Sequence, residues 1–171
     1  MTTLHKDTFQ GLINLYYLYL NNNKLVSLDK SIFSGLIRLR ELYLNSNSLS
    51  FIDPLTFAGL PLQILRLSFN KIVTINVNTF NGLSSLNLLD LSSNKIVGLV
   101  PNTFKGLGSL IFINLENNQI VTVDKNLFVG LSSLYKVCLY GNTVAEYFPT
   151  SLVNICPNPF CQIETAQPCE Q

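Results

Sequence analysis

Leu15-Tyr16-Tyr17-Leu18-Tyr19-Leu20-Asn21-Asn22-Asn23-Lys24-Leu25 returns 24 residues later as Leu39-Arg40-Glu41-Leu42-Tyr43-Leu44-Asn45-Ser46-Asn47-Ser48-Leu49. The shared pattern is L-x-x-L-x-L-x-x-N-x-L. Its Asn recurs at Asn23, Asn47, Asn70, Asn94, Asn118 and Asn142, in steps of 24, 23, 24, 24 and 24 residues. A unit of this length repeated in register marks a solenoid, in which each copy buries its apolar face only against its neighbours.

Strand side chains alternate, so Leu18 and Leu20 point inward while Tyr17, Tyr19 and Asn21 point outward. The inward pairs continue as Leu42/Leu44, Leu65/Leu67, Leu89/Leu91, Ile113/Leu115 and Val137/Leu139, which predicts a parallel sheet backed by stacked aliphatics. Two further inward positions follow each Asn, as in Leu25 and Leu28 or Ile120 and Val123. Phe9, Phe33, Phe57, Phe80, Phe104 and Phe128 keep the same period, each followed by x-Gly-Leu, and predict an aromatic spine on the convex side. Truncating one such Phe costs about 3–5 kcal/mol. The single short step falls at Gly59-Leu60-Pro61-Leu62 and reads as a shortened turn. An inward amide is tolerable only if bonded, so the six Asn are read as a structural ladder serving backbone groups of the turn and the adjacent coil. The repeated Gly is a turn residue.

Of the 171 residues, 47% are hydrophobic and 12% charged, enough for one continuous elongated core. The net charge of +1 supplies no general attraction to nucleic acid or anionic lipid, so no nucleic-acid partner is expected. The chain contains no apolar run of the roughly 18 residues that span a bilayer. Phosphate-cradling glycine motifs are absent, His5 is the sole histidine and the carboxylates are scattered, so neither catalysis, a cofactor nor a resident metal is expected. No N-x-[ST] acceptor occurs.

The first repeat is entered part-way, with Leu4 aligned to Leu28. This reads as a fragment of a longer protein, or as an edge free to associate with a second chain. After Asn142 the register continues in altered form. Val144, Tyr147, Leu152 and Ile155 take the places of Ile120, Val123, Phe128 and Leu131, and Cys161 and Ile163 are aligned with Val137 and Leu139. Pro149, Pro157, Pro159 and Pro168, with Glu146, Glu164 and Glu170, suit a terminating cap. The expected organisation is six repeats over 1–142 and a degenerate seventh repeat with cap over 143–171. All four cysteines, Cys138, Cys156, Cys161 and Cys169, lie in the last coil or the cap. Three pairings are open: Cys156 or Cys161 with Cys169 would tie the tail, while Cys138, on the concave side, could stay free. A zinc site is the weaker alternative, because C-x4-C-x7-C spacing departs from paired C-x2-C knuckles. Disulfides would imply an oxidising compartment.

The 24-residue unit with inward Asn and convex Phe resembles the typical class of extracellular leucine-rich repeats, which includes Toll-like receptor ectodomains, Slit proteins and variable lymphocyte receptors. The resemblance implies a repeat solenoid, by convention in the α/β class: a horseshoe with a parallel concave sheet and an irregular or short-helical convex side. It further implies an extracellular recognition module. The ending is similar in kind to that family's cysteine cap, with Thr143 where Pro is frequent and no Cys-x-Cys pair.

Function is expected on the concave sheet, where outward positions vary. One column reads Tyr17, Glu41, Ile64, Leu88, Phe112 and Lys136, with Ile64, Leu88 and Phe112 forming an apolar stripe. The next reads Tyr19, Tyr43, Arg66, Asp90, Asn114 and Cys138, and the third Asn21, Asn45, Ser68, Ser92, Glu116 and Tyr140. Aromatics, Arg and a central apolar area have the make-up of a protein-binding surface, so Tyr17, Tyr19, Tyr43, Ile64, Arg66, Leu88, Asp90, Phe112, Asn114 and Glu116 are the candidate ligand contacts. The competing readings are an assembly module working through its N-terminal edge, and an intracellular scaffold with reduced thiols.

Overall fold

The computed structural model describes residues 1–144, 162–165 and 167–169. Cys156 and Cys161, and the cap positions Tyr147, Leu152 and Ile155, lie outside the described residues. Among the described residues seven three-residue strands follow one another: β1 (Tyr17–Tyr19), β2 (Glu41–Tyr43), β3 (Ile64–Arg66), β4 (Leu88–Asp90), β5 (Phe112–Asn114), β6 (Lys136–Cys138) and β7 (Gln162–Glu164). They pair in chain order in one parallel sheet, so the chain is a solenoid with the sheet on its concave side. Leu18, Leu42, Leu65, Leu89, Ile113, Val137 and Ile163 occupy the same register position in successive strands. Ile163 therefore sits beside Val137 and not beside Leu139, as the repeat spacing predicted. The last coil takes 26 residues between these two positions where the others take 23 or 24, and a period cannot reveal an insertion inside a degenerate copy.

Leu42, Leu65, Leu89, Ile113 and Val137 are wholly buried, with the second inward row of Leu44, Leu67, Leu91, Leu115 and Leu139. Convex turns close the layer through stacked rings. Phe9–Phe33–Phe57 and Phe80–Phe104–Phe128 form two runs with centroid separations of 6.0–6.3 Å. The interruption between Phe57 and Phe80 coincides with the residue missing at Gly59-Leu60-Pro61-Leu62. In the convex turns the glycine is dictated by backbone conformation: Gly35 has φ +87° with no atom near a built Cβ, so no crowding excludes a side chain there.

The Asn column joins one coil to the next. Asn94 Oδ1 accepts the Ile72 amide at 3.0 Å, while its Nδ2 donates to the Leu67 and Leu91 carbonyls, both at 3.0 Å. Asn47, Asn70, Asn118 and Asn142 repeat this triad, each taking an amide and a carbonyl from the preceding coil and a carbonyl from its own. Asn23 donates to Leu20 and Asn21 of its own coil and is only half-buried. Each Asn stands immediately after a residue in the left-handed region, or one capable of it: Asn22, Ser46, Phe69, Ser93, Asn117 and Gly141 all have φ between 51° and 69°. At the last of these, a Cβ on Gly141 would lie 2.3 Å from Asn117 Oδ1, so this copy needs glycine for space as well.

Asn94→Ala is expected to cost about 3 kcal/mol, because it strands a buried amide and withdraws a donor from two carbonyls. Asn23→Ala, which breaks no bond between coils, is expected to cost under about 1 kcal/mol. Urea denaturation of the two variants checks this, and equal losses would contradict it.

Candidate ligand-binding face

The register brings Tyr19, Tyr43, Arg66 and Asp90 into one row across β1–β4. Successive strands lie about 4.8 Å apart, so outward side chains in one column touch. The Tyr19 and Tyr43 rings stack with centroids 4.6 Å apart and planes at 22°. The Arg66 guanidinium carbon lies 5.9 Å from the centroid of Tyr43, within cation–π range. Arg66 Nη1 then approaches Asp90 Oδ2 at 3.5 Å. Asp90 is held from below as well, its Oδ1 accepting the Ser92 amide at 3.1 Å and the Ser92 hydroxyl at 2.7 Å. The Tyr43 hydroxyl donates to Glu41 Oε2 at 2.7 Å. Burial, reinforced by that carboxylate, pushes the Tyr43 phenol above its usual range, so it remains a neutral donor. This row is a polar chain with fixed geometry, open at its aromatic end: Tyr19 is 63% exposed, and Tyr17 in the neighbouring column 53%.

The face is not uniformly open. Ile64, Leu88 and Phe112 align as neighbours in the first column, and all three are half-buried. Curvature of a concave sheet brings outward side chains together, and each shields the next. Towards the C-terminal end the outward residues are covered. Asp90 and Asn114 retain only 2% and 1% exposure, and Glu116 is buried too. Asn114 Oδ1 takes the Glu116 amide at 2.9 Å.

Part of this cover is the tail. Cys138, outward on β6, forms a disulfide with Cys169 across 31 residues of sequence, with Cα atoms 6.0 Å apart. The expectation that Cys138 could stay free, with Cys169 tied to Cys156 or Cys161, is thereby corrected. A concave sulfur is reachable by a chain that folds back over the sheet, a path no repeat period encodes. The Cys169 amide also donates to the Glu116 carboxylate, so the tail lies against β5–β6 on the ligand side. Glu116, Cys138 and Cys169 gather their sulfur and carboxylate atoms within 4.8 Å of one another. Both sulfurs are committed to the disulfide and offer no thiolate to a metal.

A model of the leucine rich repeat family matches residues 13–62 and 61–120, more than half of the chain. The chain belongs to the leucine-rich repeat family. Among solved structures it is similar to the receptor chain in the crystal structure of the TLR13–ssRNA13 complex, with 36% identity and a TM-score of 0.76. The match covers 80% of this chain and 19% of that one, so this chain spans about a fifth of its length. No curated protein is found to match. A Toll-like receptor neighbour and the Cys138–Cys169 disulfide together fit a receptor-ectodomain repeat array. No helix among the described residues is long and apolar enough to cross a membrane.

Mass mapping of unreduced peptides is expected to recover Cys138 linked to Cys169, and Cys169→Ser is expected to lower stability by about 3–4 kcal/mol, the loop-closure value for this separation. Recovery of Cys138 as an unmodified thiol would contradict the assignment.

Proposed function

We propose that this leucine-rich repeat array is a non-enzymatic recognition module that binds a protein ligand on the N-terminal half of its concave sheet, outside the cell. The reading rests chiefly on the continuous row Tyr19–Tyr43–Arg66–Asp90, whose exposed end lies away from the tail-covered strands. Rigid tyrosines lose little conformational entropy on binding, and an Arg held by stacking and by a carboxylate is already oriented for a partner. Ile64, Leu88 and Phe112 supply the adjoining apolar strip, Tyr17 widens the aromatic end, and Asn114 and Glu116 belong to the covered end. The disulfide supports the extracellular assignment, since such bonds persist in oxidising compartments. Under this reading residues 1–142 carry the binding repeats and 143–171 the cap.

Single-stranded RNA is the competing occupant, because the structural neighbour was solved with ssRNA13 and stacked aromatics beside an Arg suit nucleobases. The local charge argues for protein: Asp90 offsets Arg66, and Glu41 lies against Tyr43, leaving no excess of cations to hold a phosphate backbone.

Probing the chain with a panel of extracellular protein domains and single-stranded RNA oligomers tests this. A protein domain is expected to bind, with affinity reduced about tenfold or more by Tyr19→Ala, Tyr43→Ala or Ile64→Asp while each variant stays folded. Binding that survives all three changes, or that is confined to RNA, would overturn the proposal.

A further inference from the structure

Phe69 is an anomaly in its column. The five equivalent residues in the left-handed conformation are Asn22, Ser46, Ser93, Asn117 and Gly141, all small or able to bond locally, whereas Phe69 adopts φ +53° with a bulky ring. A bulky side chain in that region is strained, and such strain persists where something other than stability retains it. The ring does not recover the cost by burial, since it is 62% exposed at the turn where the chain leaves the concave sheet. Beyond it lies a flank built from the residues just after each Asn. Here Lys71 and Lys95 are neighbours in one column and Val73 and Val97 in the next, the Val97 amide donating to the Val73 carbonyl at 3.4 Å. Both valines and both lysines are exposed.

The charge pattern of this flank is local. At the following corner, coils one, two and five carry Asp29, Asp53 and Asp124, each accepting a backbone amide two residues on. The third coil makes the same bond with neutral Asn76, and the fourth has Val100 at that place. Carboxylates are thus missing from this corner on the third and fourth coils, the two that carry Phe69, Lys71 and Lys95, and among the described residues neither lysine has an ion-pair partner. We infer that this flank is a second docking surface, for an extended acidic protein segment carrying an aromatic or aliphatic anchor. Carboxylates of the segment meet Lys71 and Lys95, and its apolar side chain lies against Phe69 and the Val73–Val97 ladder. The aliphatic ladder favours a peptide over a nucleic acid, whose phosphates would gain nothing from it. The surface is separate from the concave row, so either can fail alone.

Panning a random twelve-residue peptide display library on the whole chain tests the inference. The selected peptides are expected to be rich in Asp and Glu around an aromatic or aliphatic residue, and to bind less tightly as salt is raised. Their affinity is expected to fall about tenfold or more in Phe69→Asn and in the Lys71→Glu, Lys95→Glu double variant, and to be unchanged in Tyr19→Ala. Phe69→Asn is also expected to raise the thermal midpoint by about 2–4 °C, because Asn accepts the left-handed backbone more readily. Peptides without acidic bias, undiminished binding to Phe69→Asn, weakened binding to Tyr19→Ala, or a lowered midpoint in Phe69→Asn would each overturn it.

Discussion

Every coil depends on the bond between a buried Asn side chain and the backbone of the coil before it. A carboxamide offers an acceptor and two donors in one plane, and the turn after a three-residue strand leaves an unpaired amide on one coil and carbonyls on two. Asn94 meets all three demands, for Ile72, Leu67 and Leu91. No aliphatic residue could, and a charged one would add the cost of burying its charge. The bond also fixes spacing, since the carbonyl reached in the previous coil is that of the residue just after its strand. The aliphatic layer gives the solenoid its stability, and the Asn ladder determines which coil positions face one another.

That registry produces the concave face. With one residue per coil in each column, chemistry on this surface is assembled sideways, from residues about 24 apart in sequence. Tyr19, Tyr43, Arg66 and Asp90 are unrelated in the linear chain, yet they form a stacked and ion-paired row. The same geometry limits the site. Close columns bury their own members, as at Asn114, and the disulfide between Cys138 and Cys169 holds the tail over the far strands. What is left open is the aromatic end.

The repeat, its strands and its inward rows could be read from the sequence because a strict period samples the same environment six times. Leu42 and Leu65 are interchangeable, and so the pattern is visible without coordinates. The rest depended on features that occur once. The Cys138–Cys169 pair joins a repeat position to a tail position, and nothing in the spacing links the two. The register of Ile163 was lost because the last coil is longer than those before it. The burial of Asp90, Asn114 and Glu116 follows from curvature and from the returning tail, neither of which the alternation of strand side chains encodes. Phe69 stood in plain view after Ser68, but its oddity appears only when the backbone of the column is known to be left-handed.

Native-state hydrogen exchange addresses the ladder most directly, through the five amides of Leu25, Leu49, Ile72, Ile96 and Ile120 that donate to Asn oxygens of the following coil. If the Asn bonds hold the coils in register, these amides open only with the coils themselves and rank among the slowest to exchange, alongside strand amides such as Leu89 and Ile113. Exchange at the rate of exposed convex-turn amides such as Asn81 and Lys105 would contradict the account.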